Sequence, residues 1–430
     1  MNPSPRLCAA VAASLPWMGA CAASSEPPPA PATVARAPLA VEAATPLPDA
    51  APPPLAVPAP VGTDFAAEAA AMFRVAACGG DAALPAGVSA RVVGSHCRSM
   101  ARHYASYRRG WASRAGAFFA KVRPPTLPTA VVYPFGGGDL TSALVVFPDT
   151  TELTTISLEA AGDVRALARI ETGTLAAELT AIAGDIERLY RAAHSTTESL
   201  QDASHSTLPG TLMYALSALA LHGFEPRSLR YFDLEPDGAI RYLTADELDA
   251  AAATFAGPGK RREGRTWLEQ ASPFANVEIQ FGRPGDPATR TYRHLKANLD
   301  DDHQGADRRL LAHLEAKGEI AAMTKAASFL LWRPEFSQIR DYLLAHMAWM
   351  VSDASGIPPR YAAPAGFVQE TYGTFTGPYF DNDRANVKAE FVALWERQPR
   401  RSLTFRFGYP DQTRTDGPGH LLITRRPTTP

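Results

Sequence analysis

The sequence predicts an α/β protein: a Rossmann-like mixed sheet with inserted antiparallel hairpins and a helical section, preceded by a disordered tether. Three observations predict it. From Ala130 to Ala193 the apolar pattern runs strand, loop, helix, strand, helix, the order of a parallel pair with a right-handed crossover. Further on, two segments alternate around turn residues and read as hairpins. Ahead of both lies a long Pro/Ala-rich stretch with no apolar periodicity.

The chain opens on residues 1–20, where Arg6 is the one charge and Leu7 to Trp17 form a weak apolar run ending in Met18-Gly19-Ala20-Cys21. That is the layout of an exported bacterial lipoprotein: a signal peptide whose small residues precede a cysteine that takes the lipid. Cys21 is the expected lipid attachment, with Met18 standing where Leu is commoner. Two alternatives stay open. Ordinary signal cleavage at Ala20-Cys21-Ala22 would release a secreted soluble protein, and an uncleaved start would keep the chain in the cytosol.

Residues 21–63 are dominated by Pro and Ala and cannot bury enough surface to offset the entropy of ordering. Runs such as Pro27-Pro28-Pro29 and Pro52-Pro53-Pro54 favour an extended polyproline spacer that reaches roughly 100 Å if straight. Of four cysteines, Cys8 leaves with the leader and Cys21 is lipidated, leaving Cys78 and Cys97. An oxidising compartment lets those two pair, and the alternative is two buried free thiols. Net charge is −2 and the basic residues are scattered apart from Lys260-Arg261-Arg262 and Arg400-Arg401, so nothing marks a nucleic-acid face. The longest apolar stretch in the body, Leu212 to Leu221, is about half of what a membrane span needs. The expected place is therefore the cell envelope, the lipid in the membrane and the body outside the cytoplasm.

Residues 64–427 read as one globular domain. Phe65 to Phe73 is a short helix, and Cys97 to Val122 a longer one stopped by Pro124-Pro125. Ala130 to Tyr133 is a strand, Leu140 to Phe147 a helix, Leu153 to Leu158 a second strand, and Leu175 to Ala193 an amphipathic helix. Leu229 to Leu243 turns at Glu235-Pro236-Asp237-Gly238, and Asn276 to Leu299 turns between Gly282 and Pro287. Leu310 to Ser328 and Phe336 to Ser352 read as helices, the latter with Phe336, Ile339, Leu343, Met347 and Met350 as its buried stripe. Leu403, Phe405, Phe407 and Tyr409 alternate, and Leu421-Leu422-Ile423 is a closing strand.

Tyr133-Pro134-Phe135-Gly136-Gly137-Gly138-Asp139, Asp353-Ala354-Ser355-Gly356-Ile357-Pro358 and Phe405-Arg406-Phe407-Gly408-Tyr409 together resemble a family of uncharacterised bacterial exported proteins, many with lipoprotein leaders. The likeness covers most of the body and none of the tether. It implies export and carries no activity, cofactor or catalytic residue.

Gly136, Gly137, Gly138 and Asp139 are the candidate ligand-binding loop, because glycines between a strand and a helix let backbone N–H groups approach an anion. Glu159, about 20 positions on and at the end of the next strand, stands where a nucleotide-binding fold grips a ribose. The pattern lacks the full G-x-G-x-x-G, so a tight turn in a structural unit is the competing reading. Nucleotides are also not expected outside the cytoplasmic membrane, so no cofactor is assigned. Asp300-Asp301-Asp302-His303 gathers oxygens and an imidazole, but consecutive residues point apart, so no metal is assigned; Asp381-Asn382-Asp383 lacks the rest of a calcium loop. His205, His222, His346 and His420 form no nucleophilic motif, and no G-x-S-x-G or H-E-x-x-H occurs; catalytic residues are unknown. Asp353 and Ser355 read as turn organisers. The aromatics Trp332, Phe336, Trp349, Tyr361, Tyr372, Phe375, Tyr379 and Phe380 fill a core or form a binding face. The function expected is a membrane-anchored lipoprotein with a binding or scaffold role. The alternative is an exported enzyme with a Rossmann or methyltransferase-like core using the Gly136 to Asp139 loop.

Overall fold

The computed structural model describes residues 62–171, 173–192, 207–255, 272–354, 356–377, 387–409 and 419–427. The leader, Cys21, the tether as far as residue 61, His205, the Lys260 run, Ser355, Tyr379, Phe380 and Asp381 to Asp383 lie outside them, while Thr63, the last residue of the expected tether, is bonded to the body through Leu243 and Ala245.

In chain order the strands are β1 (Ala130–Pro134), β2 (Glu152–Ser157), β3 (Glu225–Leu234), β4 (Ile240–Tyr242), β5 (Val277–Gly282), β6 (Arg290–Lys296), β7 (Ile320–Met323), β8 (Met347–Ser352), β9 (Val368–Gly373) and β10 (His420–Arg425). They form one mixed sheet in the order β4-β3-β5-β6-β2-β1-β7-β8-β10-β9. Its centre is parallel: β6, β2, β1, β7 and β8 all run the same way. Both wings are antiparallel, through the β3/β4 and β5/β6 hairpins on one side and β10 and β9 on the other.

The helices are α1 (Ala66–Met72), α2 (Ala90–Tyr107), α3 (Ser113–Val122), α4 (Leu140–Val146), α5 (Leu175–Ala192), α6 (Gly210–His222), α7 (Ala245–Thr254), α8 (Asp301–Ala306), α9 (Arg309–Glu315), α10 (Ser337–His346), α11 (Pro359–Ala362) and α12 (Val387–Arg397). Helices cover both faces, so the central strands have no solvent side. Along β1, Val131 and Tyr133 join one core with residues of α1 to α6, while Val132 joins the opposite core with residues of α9 and α10. β7 divides the same way, with Ala321 and Met323 on one face and Ile320 and Ala322 on the other. α6 is buried nearly all round, which explains its unbroken apolar sequence. No helix among the described residues is long and apolar enough to cross a membrane.

Two segments differ from the sequence reading. Ile320 to Met323, inside the expected helix 310–328, is the central strand β7, and Met347 to Ser352, the expected end of a helix, is β8. Short apolar runs buried on both faces carry no period that separates strand from helix. The alternating Leu403 to Tyr409 stretch is a loop rather than a strand, and β9 was not expected at all. The long helix begins at Ala90, earlier than expected, where the Ser89 side chain accepts from Val92 N, and π-type turns at residues 108–112 divide it into α2 and α3.

The edge strand β9 is sealed by side chains that imitate a neighbouring strand. Gln398 accepts from Thr371 N and donates to the Gln369 carbonyl, and Arg401 donates to the Thr371 carbonyl while its own carbonyl accepts from Gly373 N. Those contacts remove an open template for pairing with another chain. At the amino ends of the parallel strands lies an ion network. Arg293 bridges Glu152 (2.6 Å) and buried Glu278 (2.8 Å), and Lys317 also pairs with Glu152. Burial pushes the Glu152 carboxyl up, but Lys317 and Arg293 outweigh it and hold the group below its ordinary value.

Cys78 and Cys97 are joined by a disulfide that ties the end of the α1 turn to α2. Replacing both by Ala is expected to cost about 3 kcal/mol, because the bond closes a loop whose ends are 19 residues apart. The measurement is the urea midpoint of the oxidised chain and the double variant; equal midpoints would refute the estimate.

Candidate functional site

β1 continues to β2 on one side while β7 flanks it on the other, so the order of the parallel strands reverses between β1 and β7. In open α/β sheets, ligands bind beyond the carboxyl ends of the strands at this point. The Gly136 to Asp139 loop leaves β1 here, and Lys325 leaves β7 beside it.

The glycines serve packing. Gly136, Gly137 and Gly138 are all buried, and Gly137 has φ +47°. A Cβ on Gly136 would fall 2.6 Å from the Tyr133 ring, and one on Gly138 would fall 2.5 Å from the Tyr214 ring. The Gly136 N–H is spent on the carbonyls of Tyr133 and Ile156, and the Asp139 N–H on that of Gly136. These two amides are spent on protein oxygens.

Asp139 takes the place of an anion at the start of α4. Its Oδ1 accepts from Ser142 N at 3.2 Å and caps the helix; its Oδ2 accepts the Tyr133 phenol at 3.0 Å and pairs with Lys325 Nζ at 2.6 Å. The side chains of Lys325 and Asp139 are 3% and 5% exposed, so the pair is desolvated. Lys325 also donates to Ser142 Oγ at 2.7 Å, and its ammonium lies 5.6 Å from the ring centroids of both Trp111 and Phe407. Burial, helped by the Asp139 charge, pushes the phenols of Tyr107 and Tyr133 far above their ordinary value, so both are neutral at any physiological pH.

The backbone is strained on both sides of the reversal point. Phe135, just after β1, has φ +60°, and Ala326, next to Lys325, has φ 64° and ψ −85°, close to a γ-turn. Asp353, at the end of β8, holds that turn: its Oδ2 accepts from Ala326 N and from Tyr409 N, each at 3.1 Å. It therefore joins β7, β8 and the 401–409 loop, a wider role than organising its own turn. Gly408 (φ +70°) has no Cβ because one would strike that carboxylate at 2.1 Å.

The remaining candidates sit on other elements. Glu159 is buried, and its carbonyl accepts from His294 Nε2 at 2.8 Å, while His294 Nδ1 lies 3.2 Å from Thr155 Oγ1. Asp300 and Asp301 are helix caps: Asp300 accepts from His303 N, and the Asp301 carboxylate accepts from Ser337 N, Ser337 Oγ and Gln338 N at the start of α10. No metal-ligand group occurs among the described residues. His222 and His346 hydrogen-bond backbone carbonyls, and His420 packs against Phe375. Trp332, Phe375 and Phe391 are core, and Trp349 is 1% exposed.

Lys325 was not singled out from sequence, and Phe407 was read there only as part of an alternating stretch and of the Phe405 to Tyr409 motif. The one signal for Lys325 is a Thr-Lys step directly after a four-residue apolar run, visible only once that run is known to be a strand. Comparison with family models, with curated proteins and with solved structures found no match to this chain.

Proposed function

We propose that this is an exported, lipid-anchored envelope protein whose globular body has a binding or scaffold role and does not work on a nucleotide. The observation that carries the second half is the occupied reversal point: Tyr133 and Tyr214 lie against the glycines, and the Asp139 carboxylate with its Lys325 partner fills the anion position. Lys325 Nζ is held between the Asp139 carboxyl group at 2.6 Å and Ser142 Oγ at 2.7 Å. Export rests on the leader and on the Pro/Ala-rich spacer, and the Cys78–Cys97 disulfide accords with an oxidising compartment.

Two experiments test the reading. Thermal shift of the full chain with ATP, NAD and an adenosyl cofactor is expected to be flat, whereas a true ligand at ~100 times its Kd would add about 2.7 kcal/mol. Cys21→Ser is expected to move the protein from the membrane fraction to the soluble one; unchanged partitioning would sink the anchor.

The second reading, an exported enzyme acting at the Gly136 to Asp139 loop, draws on the backbone strain at Phe135 and Ala326, since strain of about 1–3 kcal/mol per residue clusters at working sites. A clear nucleotide-dependent shift would favour it.

A further inference from the structure

A second place in the body has the form of a ligand site and is independent of both the reversal point and the anchor. Between α1, the Pro85–Val88 loop and the turn at Val164–Arg169 lies a cavity of about 390 Å³, within the range of small-molecule sites. Its walls are chiefly apolar, with Ala67 and Ala71 on one side and Leu167, Ile170 and Leu175 on the other.

Two charged side chains line it, Glu68 and Arg165. Arg165 is fully engaged: it pairs with Asp163 at 3.0 Å and Asp249 at 2.8 Å, and its guanidinium lies over Phe65 and Phe274. Asp163 is likewise shared with Arg169 at 2.8 Å. Glu68 makes no hydrogen bond or ion pair among the described residues. The hollow therefore offers apolar walls and one uncompensated carboxylate, which is complementary to an organic cation bearing an apolar tail.

The walls are set in advance. Tyr231 accepts from Val164 N and donates to the Gly162 carbonyl, each at 2.7 Å, fixing one wall, and the loop carrying residues 85–88 is the one closed by the Cys78–Cys97 disulfide. Pre-set walls reduce the ordering cost of binding. We propose that this cavity binds a cationic amphiphile, its apolar tail between α1 and the 164–169 turn and its cation against Glu68.

The test is calorimetric titration of the full chain with decyltrimethylammonium and with decyl sulfate, both below their micelle-forming concentrations. The expected result is one-to-one binding of the cation, at least tenfold tighter than the sulfate, and about tenfold weaker binding of the octyl cation than of the decyl one. Glu68→Gln should erase the preference between head groups. Ala71→Trp should abolish binding by filling the hollow; Ala67→Trp, at an exposed position on the rim, does the same without entering the core. Cys21→Ser should bind as the parent chain does, which separates this site from the anchor. Equal affinity for the two head groups, tighter binding of the sulfate, or binding that survives both tryptophans would overturn the proposal.

Discussion

Lys325→Met is expected to lower the unfolding free energy by about 3–5 kcal/mol, because it leaves the Asp139 carboxylate buried without its counter-charge. The Asp139 side chain is 5% exposed and cannot turn to water while Tyr133 and the start of α4 hold it. Removing both charges is a different case. In Lys325→Met with Asp139→Asn, the amide oxygen still caps α4 and no net charge remains inside, so most of the loss should return. Urea unfolding of the two single variants and the double variant measures the coupling. A Lys325→Met chain within 1 kcal/mol of the parent would show the pair to be incidental.

The body should lose stability steeply as pH falls from about 6.5 toward 4. Burial holds His294 down at about 4 against the opposing hydrogen bond from its ring to the Glu159 carbonyl. His222 is lowered to about 4 by burial, with Arg108 adding to it, and His313 to about 4 by burial and then by the Lys317 charge. Each ring is neutral in the folded chain, while the unfolded chain takes up a proton below about 6.5. The stabilisation is thus fully present above the unfolded value and lost on the way down to the folded one. Each ring contributes a slope of up to about 1.4 kcal/mol per pH unit in that window. Denaturant midpoints between pH 7 and 4.5 test this. His294→Gln should flatten the slope by the share of one ring, and a stability flat to pH 4.5 would contradict the buried, neutral state of all three.

The residues of the glycine loop were legible as a strand-to-helix turn because glycine leaves a local mark, whereas Asp139 was read as a candidate ligand-binding residue and not as the cap of α4. The purpose of the glycines was not legible. Gly136 and Gly138 lack a side chain because Tyr133 and Tyr214 occupy that space, and Tyr214 comes from a helix far along the chain. Likewise Asp300 and Asp301 were visible as an acidic run, but only the packing of α8 against α10 reveals Asp301 as the cap of another helix. Of the histidines read beside apolar segments, His222 and His346 each meet a backbone carbonyl.

What the chain's residues decided by themselves is local: the hairpins at Pro236-Asp237-Gly238 and Gly282 to Pro287, the β1–α4–β2 unit, the amphipathic α5, and a long stretch whose proline content opposes packing. Period, turn chemistry and composition act over a few residues, so a linear reading captures them. Tertiary structure alone made Ile320 to Met323 and Met347 to Ser352 parallel strands, because an apolar run buried on both faces takes its geometry from its neighbours. It also brought Lys325 to Asp139 and to Ser142, which lies 183 positions away along the chain. A charge in the low-dielectric interior has meaning only through its partner, and distant partners meet only when the sheet is assembled.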